Sequence, residues 1–250
     1  MKDIIKNNLE NYGYTIVKNA FTEIEIKNLI SIFENPELKQ FLTLDKNNCG
    51  FTTNDGKKDN LQDLLKSDTN MNKEIINHAL SSFEKTKFFK ENLSNFETNG
   101  WNGLRVNFPS QKFKNVCWHQ DIQTPIENKM DIEDKKFYTF WIPFSSVNEN
   151  NSIEIVNMPF TNKVFHNHYK INIPLPKIYR NSEIHKVKIS LGDLVILNNS
   201  TFHRSTWNQS NFIRISADLR YTNNEKTSFD TSFLLRMRIF KNKIKNLVKK

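Results

Sequence analysis

Two histidines and one aspartate are spaced so that their side chains could hold a single metal ion. His119 and Asp121 lie two residues apart in a segment that we expect to be a strand, where alternate side chains point to the same face. His203 follows His119 by 84 residues, just after an apolar stretch. Two imidazoles and one carboxylate, with the opposite positions open, form the facial triad of non-haem Fe(II) oxygenases. The alternative is a surface or structural histidine, because a His-x-Asp triplet also occurs by chance.

An arginine lies a short distance along the chain from the second histidine. Arg214 follows His203 by eleven residues, in an alternating stretch that predicts a strand returning past the metal. A guanidinium binds a carboxylate bidentately, so Arg214 could hold the far end of a dicarboxylate whose other end chelates iron. Ser216 faces the same way and could add a hydroxyl donor. For Arg214 alone, the alternative is a surface ion pair.

Two further arginines are predicted on core strands, where a buried guanidinium needs a partner. We expect Arg105 to contact an anionic group of the substrate. For Arg220 the sequence leaves two interpretations open, a substrate contact or a structural ion pair. The His-x-His pair of His166 and His168, with His185 nearby, lacks a carboxylate or cysteine that would complete a metal site, so a loop at the pocket mouth or on the surface is preferred.

The elements that must position these residues change in character along the chain. Helices dominate the first hundred residues: one begins at Thr22, which forms a capping-box pattern with Glu25, and should end at Pro36. Residues 45–60 predict a loop, and residues 71–93 a second helix. From Trp101 onward, short apolar or alternating runs predict strands at 103–108, 115–122, 137–143, 152–156, 184–189, 193–197 and 212–221. Strands without intervening helices favour an antiparallel sandwich or barrel with the N-terminal helices outside it.

Composition limits the classes of protein to consider. The chain has 250 residues, of which 37% are hydrophobic and 20 are phenylalanine, which favours a soluble globular protein with an aromatic core. Two cysteines and the absence of a secretory signal predict a cytoplasmic protein, and no apolar run is long enough to span a membrane. The formal net charge is +9, but residues 236–250 hold seven Lys or Arg and no acid, so the rest of the chain is nearly balanced.

The segment 230–250 predicts a basic amphipathic helix. Docking of its apolar stripe on the protein's own body or on a dimer partner is the preferred interpretation, and contact with an anionic membrane surface is the alternative. Nucleic acid is not an expected partner because no recognised nucleic-acid module is present. The oligomeric state stays open. The stripe consists of Phe233, Met237, Phe240, Ile244 and Leu247.

Over residues 1–222 the sequence resembles the phytanoyl-CoA dioxygenase family of Fe(II)/2-oxoglutarate-dependent oxygenases. The resemblance implies a mainly β fold with flanking α-helices around a double-stranded β-helix core, which is a cupin-like jelly roll. It also implies one dioxygenase domain at 1–222, with 223–250 as a separate basic helix or tail. The similarity rests on Trp118-His119-Gln120-Asp121, on Phe140-Trp141-Ile142-Pro143, and on Gly192-Asp193-Leu-Val-Ile-Leu followed by His203, Ser205, Asn208, Ser210, Arg214 and Leu219-Arg220-Tyr221.

The resemblance further implies roles for individual residues. His119, Asp121 and His203 would ligate Fe(II), and Arg214 would bind the distal carboxylate of the cosubstrate 2-oxoglutarate, with O₂ as the second cosubstrate. Further cosubstrate contacts would come from Ser205, Gln120 and Trp141. The aspartate at position 121 argues against the halogenase variants, which lack a carboxylate ligand there.

The activity expected from this resemblance is hydroxylation of a small organic molecule, with succinate and CO₂ as co-products. A carbohydrate, a lipid-linked compound or a secondary-metabolite precursor would suit the family. The loop after the Asn-rich turn at 148–151 departs from the family's usual glycine and Pro-Gly-Ser-His segment, so the pocket wall is atypical. Two other functions stay open: a catalytically silent jelly-roll module for binding or sensing, and a peripheral membrane binder that acts through its basic tail.

Overall fold

The computed structural model describes residues 2–54, 57–110, 117–123, 137–159, 175 and 177–223. The basic tail predicted at 223–250 lies outside the described residues apart from its first residue. His166, His168 and the beginning of the strand predicted at 115–122 also lie outside them. No helix in the described part of the chain is long and apolar enough to cross a membrane.

Six α-helices precede the main β region. Their apolar side chains, such as Leu29 and Phe83, are buried against one face of the largest sheet in a single hydrophobic cluster. The helices therefore cover that face from outside, as the sequence predicts. They are α1 (Asp3–Tyr12), α2 (Glu23–Ile30), α3 (Pro36–Lys39), α4 (Lys58–Leu64), α5 (Asn70–Lys85) and α6 (Lys87–Asn92).

The helix that begins after Thr22 ends earlier than the sequence indicates. Thr22 and Glu25 form the expected capping box, in which each side chain accepts a hydrogen bond from the other residue's backbone N–H. However, α2 ends at Ile30 and a 3₁₀ turn follows at Ser31–Glu34. Pro36 does not end a helix but begins α3. The N–H groups in the first turn of a helix have no partner within the helix, so proline, which lacks this group, loses no hydrogen bond there.

The second predicted helix is two helices. Thr86 separates α5 from α6: its backbone is extended, and its hydroxyl accepts a hydrogen bond from the N–H of Phe89 at 3.1 Å as the N-cap of α6. The loop predicted at 45–60 is also more ordered than expected, because it contains the short strand Phe51–Thr53 and the beginning of α4.

Within the described residues, eleven strands form three antiparallel sheets. The largest has the order β1-β9-β6-β11, and β11 continues the sheet by pairing with both β4 and β5. A smaller sheet has the order β10-β7-β8, and β2 pairs with β3. The strands are β1 (Tyr14–Val17), β2 (Leu42–Leu44), β3 (Phe51–Thr53), β4 (Phe96–Thr98), β5 (Gly103–Asn107), β6 (Phe137–Pro143), β7 (Ile153–Val156), β8 (Ile184–Lys186), β9 (Leu194–Asn198), β10 (His203–Ser205) and β11 (Arg214–Asn223).

The large and small sheets share a second hydrophobic cluster. Trp141 and Val195 from the large sheet pack with Ile153 and Ile155 from β7 of the small sheet. The two sheets therefore face each other, and the helices cover the opposite face of the large sheet. The predicted mainly β fold with flanking helices around a jelly-roll core is confirmed.

Strand β11 separates these two environments. Ile215, Ala217, Leu219 and Tyr221 belong to the cluster under the helices. The alternate residues of the strand are polar and point to the other face, toward the small sheet. These polar residues, which line the space between the sheets or lie beside it, are Arg214, Ser216, Asp218 and Arg220.

The turn between α1 and β1 depends on a glycine. Gly13 has φ +78°, and its carbonyl accepts hydrogen bonds from Asn198 N at 2.9 Å and from Thr201 Oγ1 at 2.7 Å. A Cβ at this position would lie 2.6 Å from Thr201 Oγ1 and 2.9 Å from the carbonyl oxygen of Met158. The backbone conformation and the close approach both exclude a side chain.

Gly13→Ala should therefore destabilise the protein more than Gly100→Ala does. Gly100 has a similar φ of +81° but nothing within 4 Å of its Cβ position, so its substitution measures the backbone cost alone, about 1 kcal/mol. The clash should add about 2 kcal/mol at Gly13. Urea unfolding of both variants measures the difference, and equal losses would contradict the role given to Gly13.

Candidate active site

The three predicted metal ligands meet at one point between the sheets. Donor atoms of His119, Asp121 and His203 lie within 4.8 Å of one another, and they are the one such group found among the described residues. His119 and His203 pair in an antiparallel bridge, in which each backbone N–H bonds to the other's carbonyl at 3.0 and 3.1 Å. This backbone pairing brings together two residues that are far apart in the sequence.

Asp121 reaches the site by a different route from the one expected. The segment 117–123 contains a bridge at His119 and then a turn, in which the N–H of Gln123 bonds to the carbonyl of Gln120 at 3.0 Å. The strand predicted at 115–122 is therefore absent from the described part, 117–122, apart from that bridge. The turn, not the alternation of strand side chains, brings the carboxylate of Asp121 back beside the two imidazoles.

Backbone carbonyls orient both imidazole rings. His119 Nδ1 lies 2.8 Å from the carbonyl oxygen of Cys117, and His203 Nδ1 lies 3.0 Å from that of Thr201. Because a carbonyl only accepts, each Nδ1 carries a proton, and Nε2 is the ring nitrogen that is left to bind a metal. Histidine ligands of metals typically donate their other ring N–H in this way.

The protonation state of His119 also suits a ligand. Burial, together with the neighbouring His203, lowers the pKa of His119 to about 3, although Asp121 acts in the opposite direction. The residue lines the cavity and is half-buried as a whole. His119 is therefore neutral at physiological pH, which is the form that binds a metal ion.

Asp121 is held by two donors. Arg220 Nη2 donates to its Oδ1 at 2.7 Å, and the hydroxyl of Thr139 donates to its Oδ2 at 2.6 Å. Burial opposes the charge on Asp121, but Arg220 and both histidines outweigh that effect and hold the pKa of the carboxyl below its usual range. Asp121 is therefore an ionised carboxylate although it is only 3% exposed.

Arg214 is a buried cation at the beginning of β11. It is 1% exposed, and its Nη1 donates to the carbonyls of Asn151 and Ser152 at 2.9 and 2.8 Å. Its Nη2 donates to Ser205 Oγ at 3.3 Å, and the guanidinium lies over the ring of Trp141 with 5.5 Å from Cζ to the centroid. Burial lowers its pKa to about 10, so it remains charged at neutral pH.

The contacts of Arg214 leave part of the guanidinium unused. Its Nε is buried without a hydrogen-bond partner, and none of the ion pairs among the described residues includes Arg214. A buried cation without an anionic partner is costly. The arrangement therefore suits an anionic ligand that enters the space between the sheets.

The other predicted cosubstrate residues take different positions. Ser205 and Trp141 line the same cavity as Arg214. Trp141 Nε1 donates to Ser216 Oγ at 2.9 Å, so Ser216 supports the tryptophan and is not itself among the cavity-lining residues. Gln120 is fully buried and its side chain donates to the carbonyl of Ser200 at 2.6 Å, away from the cavity lining.

Of the two arginines considered as substrate contacts, one lines the cavity and the other does not. Arg105 lines the cavity and its Nε donates to Asp218 Oδ2 at 2.7 Å. Arg220 is not among the lining residues, because its guanidinium is engaged with Asp121 and with the carbonyl of Trp101. Of the two interpretations left open for Arg220, the geometry favours the structural ion pair.

Three site residues were missed in the sequence. Thr139 and Asp218 bind charged partners at the site, and Arg204 lines the cavity, where its Nε pairs with Glu154 at 2.6 Å and its Cζ lies 4.6 Å from the ring centroid of Trp118. The alternation of polar residues along 214–220 is a signal that could have identified Asp218. Nothing local in the sequence singles out Thr139, whose role depends on its position opposite Arg220.

Comparison with known families gives one match. The family described as Phytanoyl-CoA dioxygenase (PhyH) matches residues 9–216, which include all three candidate metal ligands and Arg214. A comparison with curated protein sequences found no match.

Several solved structures share the fold at low sequence identity. The carbocyclase SnoK from nogalamycin biosynthesis, described as non-heme and alpha-ketoglutarate dependent, has a TM-score of 0.53 and 12% identity, over 89% of this chain and 84% of SnoK. EvdO2 from Micromonospora carbonacea var. aurantiaca, solved with 2-oxoglutarate, has a TM-score of 0.53 and 13% identity, over 89% and 91%. The epimerase SnoN, in complex with Fe3+, alpha-ketoglutarate and nogalamycin RO, has a TM-score of 0.51 and 12% identity, over 88% and 83%.

The low pKa of His119 predicts a pH dependence of stability in the metal-free protein. Between pH 7 and 5 the unfolded chain takes up a proton on this histidine, whose ordinary pKa is 6.5, while the folded protein does not. This contribution to stability is therefore lost as the pH falls, by about 2 kcal/mol over that range. Urea unfolding at both pH values should show a smaller loss for His119→Gln than for the wild type. An identical pH dependence would contradict the neutral, enclosed imidazole.

Proposed function

The chain belongs to the phytanoyl-CoA dioxygenase family, and we propose that it is an Fe(II)- and 2-oxoglutarate-dependent oxygenase that acts on a small organic molecule. One observation carries this proposal. His119, Asp121 and His203 converge on one point, and the cavity beside them is lined by the buried cation Arg214. A metal site and an anion site next to each other are what a chelating dicarboxylate requires.

The donor set fits Fe(II). Two imidazole nitrogens and one carboxylate oxygen are the ligands of the non-haem iron facial triad, and the absence of a thiolate from the set disfavours a structural zinc site. His203 Nε2 and Asp121 Oδ2 lie 3.9 Å apart, so small side-chain rotations would bring both donors onto one ion. The three donors would hold the metal, and His119 and His203 both line the cavity.

The environment of Arg214 fits the distal carboxylate of 2-oxoglutarate. The guanidinium has five N–H donors, of which three are used by neutral oxygen acceptors of the protein. A carboxylate would satisfy the remaining donors and neutralise the buried charge. We also propose Ser205 and Trp141 as cosubstrate contacts, because both touch Arg214 and both line the cavity.

The chemistry of such a site divides between the bound groups and the protein. When bound, iron, 2-oxoglutarate and O₂ would together supply the oxidising chemistry that an unactivated C–H bond requires, with succinate and CO₂ as co-products. The protein's own residues hold the reactants in place and exclude water. The carbonyls of Cys117 and Thr201 fix the imidazoles, Arg220 fixes Asp121, and the apolar side chains Ile153 and Leu197 form part of the cavity wall.

Hydroxylation is the reaction we propose, because it is the simplest outcome of hydrogen abstraction. Two of the proteins with a similar fold are described as a carbocyclase and an epimerase, so the product must be identified by its mass. Hydroxylation adds one oxygen atom, ring closure removes two hydrogens, and epimerisation leaves the mass unchanged. We further propose residues 1–222 as the catalytic domain and Arg105 as a contact to an anionic group of the substrate.

The oxygenase proposal predicts succinate release without added substrate. Wild-type protein with Fe(II), 2-oxoglutarate and O₂ should form succinate slowly, and removal of iron by a chelator should stop the reaction until iron is restored. Asp121→Ala and His203→Ala should retain no iron and form no succinate above the metal-free background. Succinate is measured by chromatography. A wild type no more active than Asp121→Ala would favour a silent binding module instead.

The anion site predicts a selective effect of Arg214→Lys. Lysine keeps the charge but cannot form two parallel hydrogen bonds, so the Kd for 2-oxoglutarate should rise about 10- to 100-fold. The Kd for Mn(II), used as a stable probe of the metal site, should change less than about threefold. Arg204→Lys is the matched control, because Arg204 lines the cavity but is paired with Glu154. If both variants bind 2-oxoglutarate like the wild type, Arg214 is not its site.

A further inference from the structure

Both oxygens of the candidate carboxylate ligand have a protein partner. Arg220 occupies Oδ1 of Asp121, whereas Oδ2, the oxygen 3.9 Å from His203 Nε2, accepts only from Thr139 among the contacts described. A carboxylate oxygen has two lone pairs, so Oδ2 can accept the hydroxyl and still bind a metal. Oδ1 is held by the guanidinium, and Oδ2 is the oxygen that forms the close contact with His203.

The sheet register places these two donors together. Arg220 of β11 and Thr139 of β6 are direct partners in the antiparallel ladder, so their side chains leave the sheet side by side. Asp121 lies across from this pair in the turn after His119. The orientation of the carboxylate is therefore set by two neighbouring strands that do not include the metal ligands.

The guanidinium of Arg220 is itself fixed from several sides. Its Nη1 donates to the carbonyl of Trp101, and its Nη2 lies 3.7 Å from Asp218 Oδ2 as well as 2.7 Å from Asp121. Its backbone N–H donates to Asn102 Oδ1 at 2.9 Å. Asp218 in turn pairs with Arg105 at the cavity wall. Such a restrained guanidinium can impose a direction on the carboxylate that it binds.

We propose that Arg220 is a positioning residue that keeps Asp121 a one-oxygen ligand by retaining Oδ1. The inference rests on the proposed function and concerns the number of open metal positions. A six-coordinate ion with three protein donor atoms has three open positions, whereas a two-oxygen aspartate would leave two. A chelating 2-oxoglutarate would then fill both, and no open position would remain.

The test counts water molecules on Mn(II) bound to the full chain. Bound Mn(II) accelerates the relaxation of water protons in proportion to the waters that it coordinates. Wild type should hold three waters, and Arg220→Met should hold two, a decrease of about one third. With 2-oxoglutarate added, the counts should be one and none.

Three further variants separate positioning from a general structural effect. Thr139→Val removes the other hydrogen bond to the same carboxylate, and Arg105→Gln removes an arginine from the same charged cluster without touching Asp121, so both should keep three waters. Arg220→Lys, whose ammonium can still hold Oδ1, should restore the third water. Arg220→Leu, which also lacks a donor, replaces Arg220→Met if the latter does not fold.

The outcomes separate this inference from the proposed function. A wild type with only two waters, or a folded Arg220→Met or Arg220→Leu protein with three, overturns the role of Arg220 and leaves the metal site intact. If Thr139→Val also loses a water, any disturbance of the Asp121 carboxylate has this effect, and the specific role of Arg220 is again overturned. A wild type that binds no Mn(II) overturns the proposed function and this inference with it.

Discussion

The antiparallel register of β6 and β11 determines where charge is buried in this protein. It sets Thr139 opposite Arg220 and Trp141 opposite Asp218, with the polar side chains of both strands directed between the sheets. The alternate residues of β11 lie in the apolar cluster beneath the helices. A shift of the strand pairing by one residue would exchange these two sets and place two arginines in the apolar core. The burial of the apolar side chains therefore also fixes the positions of the polar ones.

Each buried charge on the polar face needs a compensating group, and the structure provides one in all cases but one. Asp121 is paired with Arg220, and Asp218 with Arg105. Arg214, which is the most deeply buried of these side chains, forms no ion pair within the described residues: its hydrogen bonds go to neutral oxygens, it lies over an aromatic ring, and the nearby Asp218 is already paired with Arg105. Because a buried unpaired cation is costly, this asymmetry is the physical basis for assigning an anionic cosubstrate to Arg214.

Local patterns in the sequence predicted antiparallel strands with helices outside them and singled out the three residues that meet at the site, whereas the jelly roll followed from the family resemblance. The strand at 137–143 and the capping box at Thr22 are local features, and both have the predicted form. The ends of the helices were less predictable, because Pro36 and Thr86 suit the beginning of a helix as well as its end.

The supporting contacts could not be found in this way. His119 and Asp121 were placed on one strand, but a turn brings the aspartate to the site. The role of Thr139 and the ion pair of Arg220 with Asp121 follow from pairing between strands far apart in the chain, which no local pattern encodes.

A crystal structure of the protein with Mn(II) and 2-oxoglutarate tests the account most directly. We predict one ion bound by His119, Asp121 and His203, with the distal carboxylate of 2-oxoglutarate on Arg214. An ion bound elsewhere, or a 2-oxoglutarate that leaves Arg214 without an anionic partner, would contradict it.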